Sequence, residues 1–450
     1  MTVEKESADK EYRLSAKDAA LEYAGEHIGG ALWQYFEGRA DAQSTLSAMR
    51  AASRMTRGRL SKNAVRALYG DTLRLSASQM DKARACHFAY FLRYGLRAKE
   101  RTGAGFDAPQ IGTFVHDVME HTLRAAKARG GLHTLETAEL HALVQEAIAD
   151  YKTRVLPDLS EKSARFRYLF DRLCDSTERI MDEVADELKH SDFEPVAFEL
   201  AFGPNGQLPA VTVCEKGNTA RVVGKVDRVD GWEHGGKLYL RVVDYKTGKK
   251  TFDLAELRYG LGLQMLLYLF ALEQEGGALF GGKEIVPAGV LYTPAREPML
   301  RCARNTADET IEKARKKELR RSGMVLEDPA VLEAMEHDAL DAPEYLPIAV
   351  KKGGALSGSL ASEGQFAKLA KYVDRVLREI ADEVFAGNIN ADPYARTPQQ
   401  SACTYCEFAS ACHFENGRGG DHMEYIKATK TDEFWSYIDE VNGEGAHENG

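Results

Sequence analysis

The sequence predicts an α/β protein in which a run of strands is set among helices, and two observations carry that reading. From Ser15 to Lys189 apolar residues recur every three or four positions, the helical period, whereas from Pro195 to Tyr245 they alternate or run unbroken with many valines, as in strands. After Tyr245 helical and strand-like stretches follow one another in turn. With 450 residues, 44 % hydrophobic and 28 % charged, the chain can bury one large core or two smaller ones.

Taken in order, Leu21, Ala24, Ile28, Leu32 and Tyr35 mark a helical accessory segment over residues 1–74. Ser76 and Ser78 can cap a helix running through Met80 and Cys86 toward Tyr94, because a serine hydroxyl satisfies the free amides of a first turn. A second helix begins near Gly112 and Thr113, with Val115, Met119, Leu123 and Ala126 on its inner face. Thr137 to Lys189 reads as two or three more. Pro195 to Phe202, Ala220 to Val229 and Lys237 to Tyr245 read as strands, followed by an apolar helix from Leu261 to Glu273 and a strand from Glu284 to Tyr292. Glu309 to Arg321 and Ser357 to Ala386 are amphipathic helices. The predicted division is an accessory segment over 1–74, a main domain over 75–420 and an acidic tail over 421–450, mobile at its end. No internal repeat is present.

The N-terminus is polar, and the longest apolar segment, Leu261 to Leu272, is interrupted by Gly262 and Gln264, so neither a secretory signal nor a membrane span is expected and the cytoplasm is the expected compartment. A net charge of -10 gives no general attraction to nucleic acid, so any such binding needs a local basic groove. Seven cysteines in that compartment do not read as disulfides. Cys174, Cys214 and Cys302 stand singly as buried or incidental thiols.

Val222 to Thr247 reads as a β-hairpin, and a turn centred between Gly235 and Gly236 sets Asp227 directly opposite Asp244. Opposed residues have Cβ atoms about 5 Å apart on one face, where two carboxylates repel unless a cation lies between them. Lys246, two residues beyond Asp244, leaves on that same face. Two carboxylates and a lysine can bind magnesium with several retained waters and activate one of them for phosphodiester hydrolysis. A register shifted by two would instead pair Asp227 with Lys246 as an ordinary ion pair, and a lone D-x-K on a strand is common.

Cys403, Cys406 and Cys412 form a C-x2-C-x5-C group, with Cys86 far upstream. Four thiolates suit zinc or a 4Fe-4S cluster, and the spacing does not choose between them.

Together these segments resemble the RecB-like branch of the PD-(D/E)xK nucleases, and are similar above all to the C-terminal nuclease region of AddB subunits of AddAB helicase-nucleases. The resemblance rests on Leu75 to Asp81, Cys86 to Gly95, Gly112 to His116, Gly224 to Asp230, Val243 to Gly248, Gln264 to Tyr268, and the Cys403, Cys406, Cys412 group, in the family's order over about three quarters of the chain. It implies a restriction-endonuclease-like core, a mixed central sheet flanked by helices, with helical insertions and an iron-sulfur latch. It implies magnesium, replaceable by manganese, held by His116, Asp227 and Asp244, with Lys246 and Gln264 completing the catalytic set. A lone helical histidine is otherwise more often structural. Gln264 and Tyr268 share one helix face and would hold Lys246 or the DNA strand. Glu199 resembles a carboxylate seen before the catalytic hairpin in related nucleases and ranks below the other four.

The resemblance further implies that Cys86, Cys403, Cys406 and Cys412 hold a 4Fe-4S cluster. It points to DNA as substrate, a single strand ending 5′ and supplied by an AddA-type helicase-nuclease partner, in double-strand break repair. Lys249, Lys250 and Tyr268 are candidate DNA contacts, with Arg93, Arg97, Lys99, Arg101 and the basic stretch Lys313 to Arg321 near by, although the latter serves equally as a solvated face. Two features depart from the family: His87 stands where a proline is usual, and the helicase-like bulk and a G-x-x-x-x-G-K-[ST] phosphate loop are missing, so the chain is expected to lack a motor of its own. An inactive DNA-end-binding or scaffolding module and a CRISPR-adaptation-type iron-sulfur nuclease are the competing readings. The intact polar set argues against the first and the chain's length against the second.

Overall fold

The computed structural model describes residues 3–7, 10–14, 16–53, 57–99, 108–215 and 217–443. Arg101 and the last residues of the expected tail lie outside them. Six strands build the central sheet: β1 (Glu194–Phe202), β2 (Gly224–His234), β3 (Lys237–Lys246), β4 (Glu284–Pro294), β5 (Ser322–Leu326) and β6 (Leu360–Ala361). They lie side by side in chain order. Neighbours are antiparallel from β1 to β3 and between β4 and β5, but parallel between β3 and β4 and between β5 and β6, so the sheet is mixed.

The β2–β3 hairpin turns on Gly235 and Gly236, with φ of 59° and 82°, a pair of left-handed residues that a two-residue turn requires. Its ladder runs from His234 opposite Lys237 to Arg228 opposite Val243, the register expected from the turn. One expected strand is split, however. Ala220 to Val229 breaks at Val223, whose N–H donates to the Leu75 carbonyl at 2.8 Å. Residues 218–222 join a separate small sheet with Thr72–Leu75 and Val211–Glu215. Gly224 then enters β2 so close to the Tyr268 ring that a Cβ would collide with it.

Helices around the sheet include α1 (Ala77–Ala85), α2 (Ala108–Ala128), α3 (Thr137–Val155), α4 (Ala164–Lys189), α5 (Gln264–Glu275), α6 (Asp308–Leu319) and α7 (Glu363–Phe385). Ser76 caps α1 in a capping box with Gln79, and Ser362 does the same for α7 with Gln365. The helix expected to pass through Cys86 stops there, because Cys86 is extended (φ −175°, ψ 121°) and a new short helix starts at His87. Helix α5 carries the β3-to-β4 crossover, and every residue from Met265 to Leu272 in it is buried. Along the free edge of β1, Arg124 and Lys127 of α2 donate to the carbonyls of Phe198 and Pro195 at 2.8 and 2.7 Å, which satisfies acceptors an edge strand leaves open.

One large core unites sheet and helices. Phe434 and Ile438, in the helix Thr431–Val441, belong to it, so this part of the expected acidic tail is packed. Leu21, Ala24, Trp33, Phe36, Ala42 and Leu46 of the N-terminal helices form a small core apart from it. Arg321, expected on a basic helical face, is buried against Glu187. Among the described residues no helix is long and apolar enough to cross a membrane.

Candidate metal centre and cysteine cavity

The β2–β3 ladder ends with Arg228 opposite Val243, and the same register carried one residue further sets Asp227 opposite Asp244. On the other side of β2, Phe198 faces Arg228 and Leu200 faces Val226, which sets Glu199 of β1 opposite Asp227. Three carboxylates therefore form one row across three adjacent strands. Glu199 has φ 49°, a left-handed conformation that a glutamate adopts only under constraint from its surroundings.

His116 reaches the row from α2. Its Nε2 lies 2.8 Å from the Tyr245 carbonyl and its Nδ1 3.4 Å from Asp227 Oδ2, while the Tyr245 N–H donates to that same Oδ2 at 3.0 Å. The backbone of Tyr245 thus orients both side chains. An imidazole that gives one N–H to a carbonyl keeps its other nitrogen for a cation, the arrangement usual for metal-bound histidines. Ligand atoms of His116, Glu199 and Asp227 all fall within 4.8 Å of one another.

Asp244 is 5 % exposed, and Lys246 Nζ lies against its Oδ2. That buried oxygen nonetheless has no aligned hydrogen bond. Burial, and then the facing Asp227 carboxylate, push the Asp244 carboxyl up to about 6. Burial works against a charged His116, but Asp227, together with the Tyr245 carbonyl and Asp244, raises the imidazole above its ordinary value. The donor set is hard and anionic with one imidazole, and in it Asp244 Oδ2 is buried against the Lys246 ammonium. It fits a divalent cation.

Gln264 opens α5, one turn before Tyr268, whose phenol burial pushes up to about 12. Tyr268 is 5 % exposed and stacked on Phe202 with centroids 5.6 Å apart, so the expectation that it contacts DNA is corrected: its ring is spent on packing. Lys249 and Lys250 do lie at the surface just past β3. Asp81, which the sequence did not single out, is half-buried beside the site and accepts from the Gly262 N–H at 2.9 Å, fixing the turn before Gln264. A polar residue on the inner face of the Ser76-capped helix was the available signal.

Cys86, Cys403, Cys406 and Cys412, from distant parts of the chain, line one cavity of about 210 Å³, otherwise walled by apolar groups including Phe88, Pro393, Phe408 and Phe414. Burial pushes the Cys86 thiol up to about 11 and raises Cys403 and Cys412. His87 ties this region down: its ring nitrogens lie 2.6 Å from Asp392 and 3.1 Å from Glu383, and its N–H donates to Asp392 at 2.9 Å. Arg57 places Nη2 3.6 Å from Cys412 Sγ and its guanidinium over the Phe88 ring. Nothing in the local sequence signals that contact. Cys174, Cys214 and Cys302 lie elsewhere.

Residues 74–413 match the PD-(D/E)XK nuclease superfamily. The chain belongs to this superfamily. Its members use divalent metals, and among the described residues His116, Glu199 and Asp227 form a group that could hold one, with Asp244 outside it. Among curated relatives, an ATP-dependent helicase/deoxyribonuclease subunit of the AddB type from Thermoanaerobacter sp. (strain X514) is 32 % identical over 386 residues, 85 % of this chain. Its counterparts from Acetivibrio thermocellus and Clostridium tetani are 34 % and 33 % identical, each over 84 % of this chain. The chain spans about a third of the length of these relatives. Its mixed sheet and helices agree with the restriction-endonuclease-like core of the superfamily.

Proposed function

We propose that the chain is a magnesium- or manganese-dependent deoxyribonuclease, an exonuclease acting on a single DNA strand that an AddA-type helicase partner supplies during double-strand break repair. The carboxylate row Glu199, Asp227, Asp244, with Lys246 beside it and His116 Nδ1 turned toward it, carries the reading. His116, Asp227 and Asp244 would hold the ion, and Glu199 is placed to join them. When bound, the cation polarises the phosphoryl oxygen and acidifies a water. Lys246 orients the attacking water or neutralises charge developing on the phosphate, and its ammonium is held at the site by Asp244. Gln264, the first residue of α5, would complete the catalytic set. Tyr245 keeps His116 and Asp227 in register through its backbone alone.

The four-cysteine cavity is proposed to hold a 4Fe-4S cluster. Zinc bonds thiolates at about 2.3 Å and would draw four sulfurs into contact around one atom, whereas an apolar cavity of about 210 Å³ leaves room for a polyatomic centre. The nuclease domain is taken as residues 75–420, preceded by the accessory helices.

The test is cleavage of end-labelled single-stranded and duplex DNA with and without magnesium. Asp244→Ala and Lys246→Ala should each abolish hydrolysis while leaving a folded protein, since each removes one group from a polar site. Normal turnover by folded Asp244→Ala protein overturns the mechanism.

A further inference from the structure

A cleft of about 140 Å³ reaches Lys246, which pairs with Asp244, and its lining is cationic: Lys246, Lys249, Lys250, Arg296, Lys317 and Arg320 against a single carboxylate, Glu318. Three elements build it. The loop after β3 is pinned by the Phe252 N–H donating to Ser322 Oγ at 2.7 Å, the end of β4 by the Ala295 N–H donating to the Lys246 carbonyl at 2.9 Å, and the C-terminal end of α6 supplies the third wall.

The cations in it are incompletely paired. Arg296 Nε is buried and has no hydrogen-bond partner, a costly state for a guanidinium N–H. Glu318 Oε2 stands 3.6 Å from Arg296 Nη2 and 3.7 Å from Lys249 Nζ, too far for close hydrogen bonds to either. Arg320, in contrast, is anchored by donating to the carbonyls of Pro343 and Glu344. The arrangement is a preformed anion site with a weakly held internal carboxylate.

We propose that this cleft binds the phosphodiester backbone of the substrate strand next to the scissile phosphate, with Arg296 and Lys317 as its main contacts and Glu318 as a competing anion that the strand displaces. The proposal rests on the nuclease reading and specifies which way the strand leaves the metal centre: past Lys246, between the 248–251 loop and α6. A backbone phosphate suits the site because contacts are to charge and no aromatic ring lines the cleft except Tyr292, over which Lys246 Nζ sits 5.7 Å from the centroid.

The experiment measures binding of a labelled oligothymidylate to the full chain without divalent metal, over a range of salt. Each phosphate contact removed should lower the slope of log K against log salt by about 0.7 for a single strand. Arg296→Gln with Lys317→Gln should therefore flatten the slope by roughly 1.4 and weaken binding. Glu318→Gln should tighten it, whereas Glu309→Gln, on the exposed far end of α6, should leave it unchanged. In cleavage assays Lys317→Gln, a surface change that spares the fold, should raise KM and leave kcat as it was. Unchanged slopes in the double variant, with Glu318→Gln no tighter than Glu309→Gln, overturn the cleft while leaving the nuclease reading intact. An unsubstituted protein that cleaves no DNA overturns the nuclease reading instead.

Discussion

Asp244 shows how a single residue trades stability for function. Its carboxyl is pushed up from 3.8 to about 6 by burial and by Asp227, against the pull of Lys246 and His116. The folded state thus holds this proton more tightly than the unfolded chain, so the contribution to stability is fully present below about pH 4 and is lost as pH rises through about 6. Above that, ionised Asp244 costs the metal-free protein roughly 3 kcal/mol. Asp244→Asn should raise the Tm of metal-free protein at pH 7 and not at pH 4, and should abolish cleavage. Magnesium should raise the Tm of the unsubstituted protein at pH 7 and not that of the variant. A Tm difference independent of pH would show that Asp244 does not carry this titration. The D-x-K spacing made the residue visible in the sequence, but Glu199 could be ranked only low there, because its place in the row depends on the β1–β2 register and on a backbone angle that no local pattern encodes.

Between elements, the strand pairing most legible in the sequence was the β2–β3 hairpin, since a two-glycine turn fixes register locally. The break at Val223 was illegible because it depends on the Leu75 carbonyl, far away in sequence. The same holds for the joint between α4 and the sheet. Glu187 of α4 pairs with Arg321 at 2.6 Å and lies 3.6 Å from Arg241, which also pairs with Asp230 at 2.8 Å, all of them buried. Burial opposes the charge on Glu187, but Arg321, then Arg241 and Arg228, hold its carboxyl down to about 2. A depressed carboxyl stabilises the fold above its ordinary value and loses that contribution as pH falls from about 4.5 toward 2. Glu187→Gln should therefore cost about 3 to 5 kcal/mol at pH 7 by leaving two arginines underpaired, read by urea unfolding. The gap should narrow toward pH 2. A variant as stable as the parent at pH 7 would show that the arginines find other partners.

At the scale of the whole molecule, the cysteine cavity joins Cys86, ahead of the sheet, to a group that follows its last strand. A centre bound there closes nearly the entire core into one loop, which restricts the unfolded chain and couples metal binding to folding. Without it, the Cys86, Cys403 and Cys412 thiols are raised by burial and the cavity is an apolar void, so the empty protein should be looser throughout and not only near the cysteines. Protein purified without oxygen is therefore expected to be brown, with iron and sulfide at about four each per chain. Cys86→Ala, Cys403→Ala, Cys406→Ala and Cys412→Ala should each lose the iron, lower the Tm of the entire core and abolish cleavage indirectly, although none of the four touches the carboxylate row. Cys174→Ala, Cys214→Ala and Cys302→Ala should keep the iron. A colourless protein holding one zinc through the same four residues would keep the latch and refute the iron-sulfur assignment. Full iron content in Cys86→Ala would refute the closure itself, because the clustered three would then suffice without the residue that reaches back across the sheet.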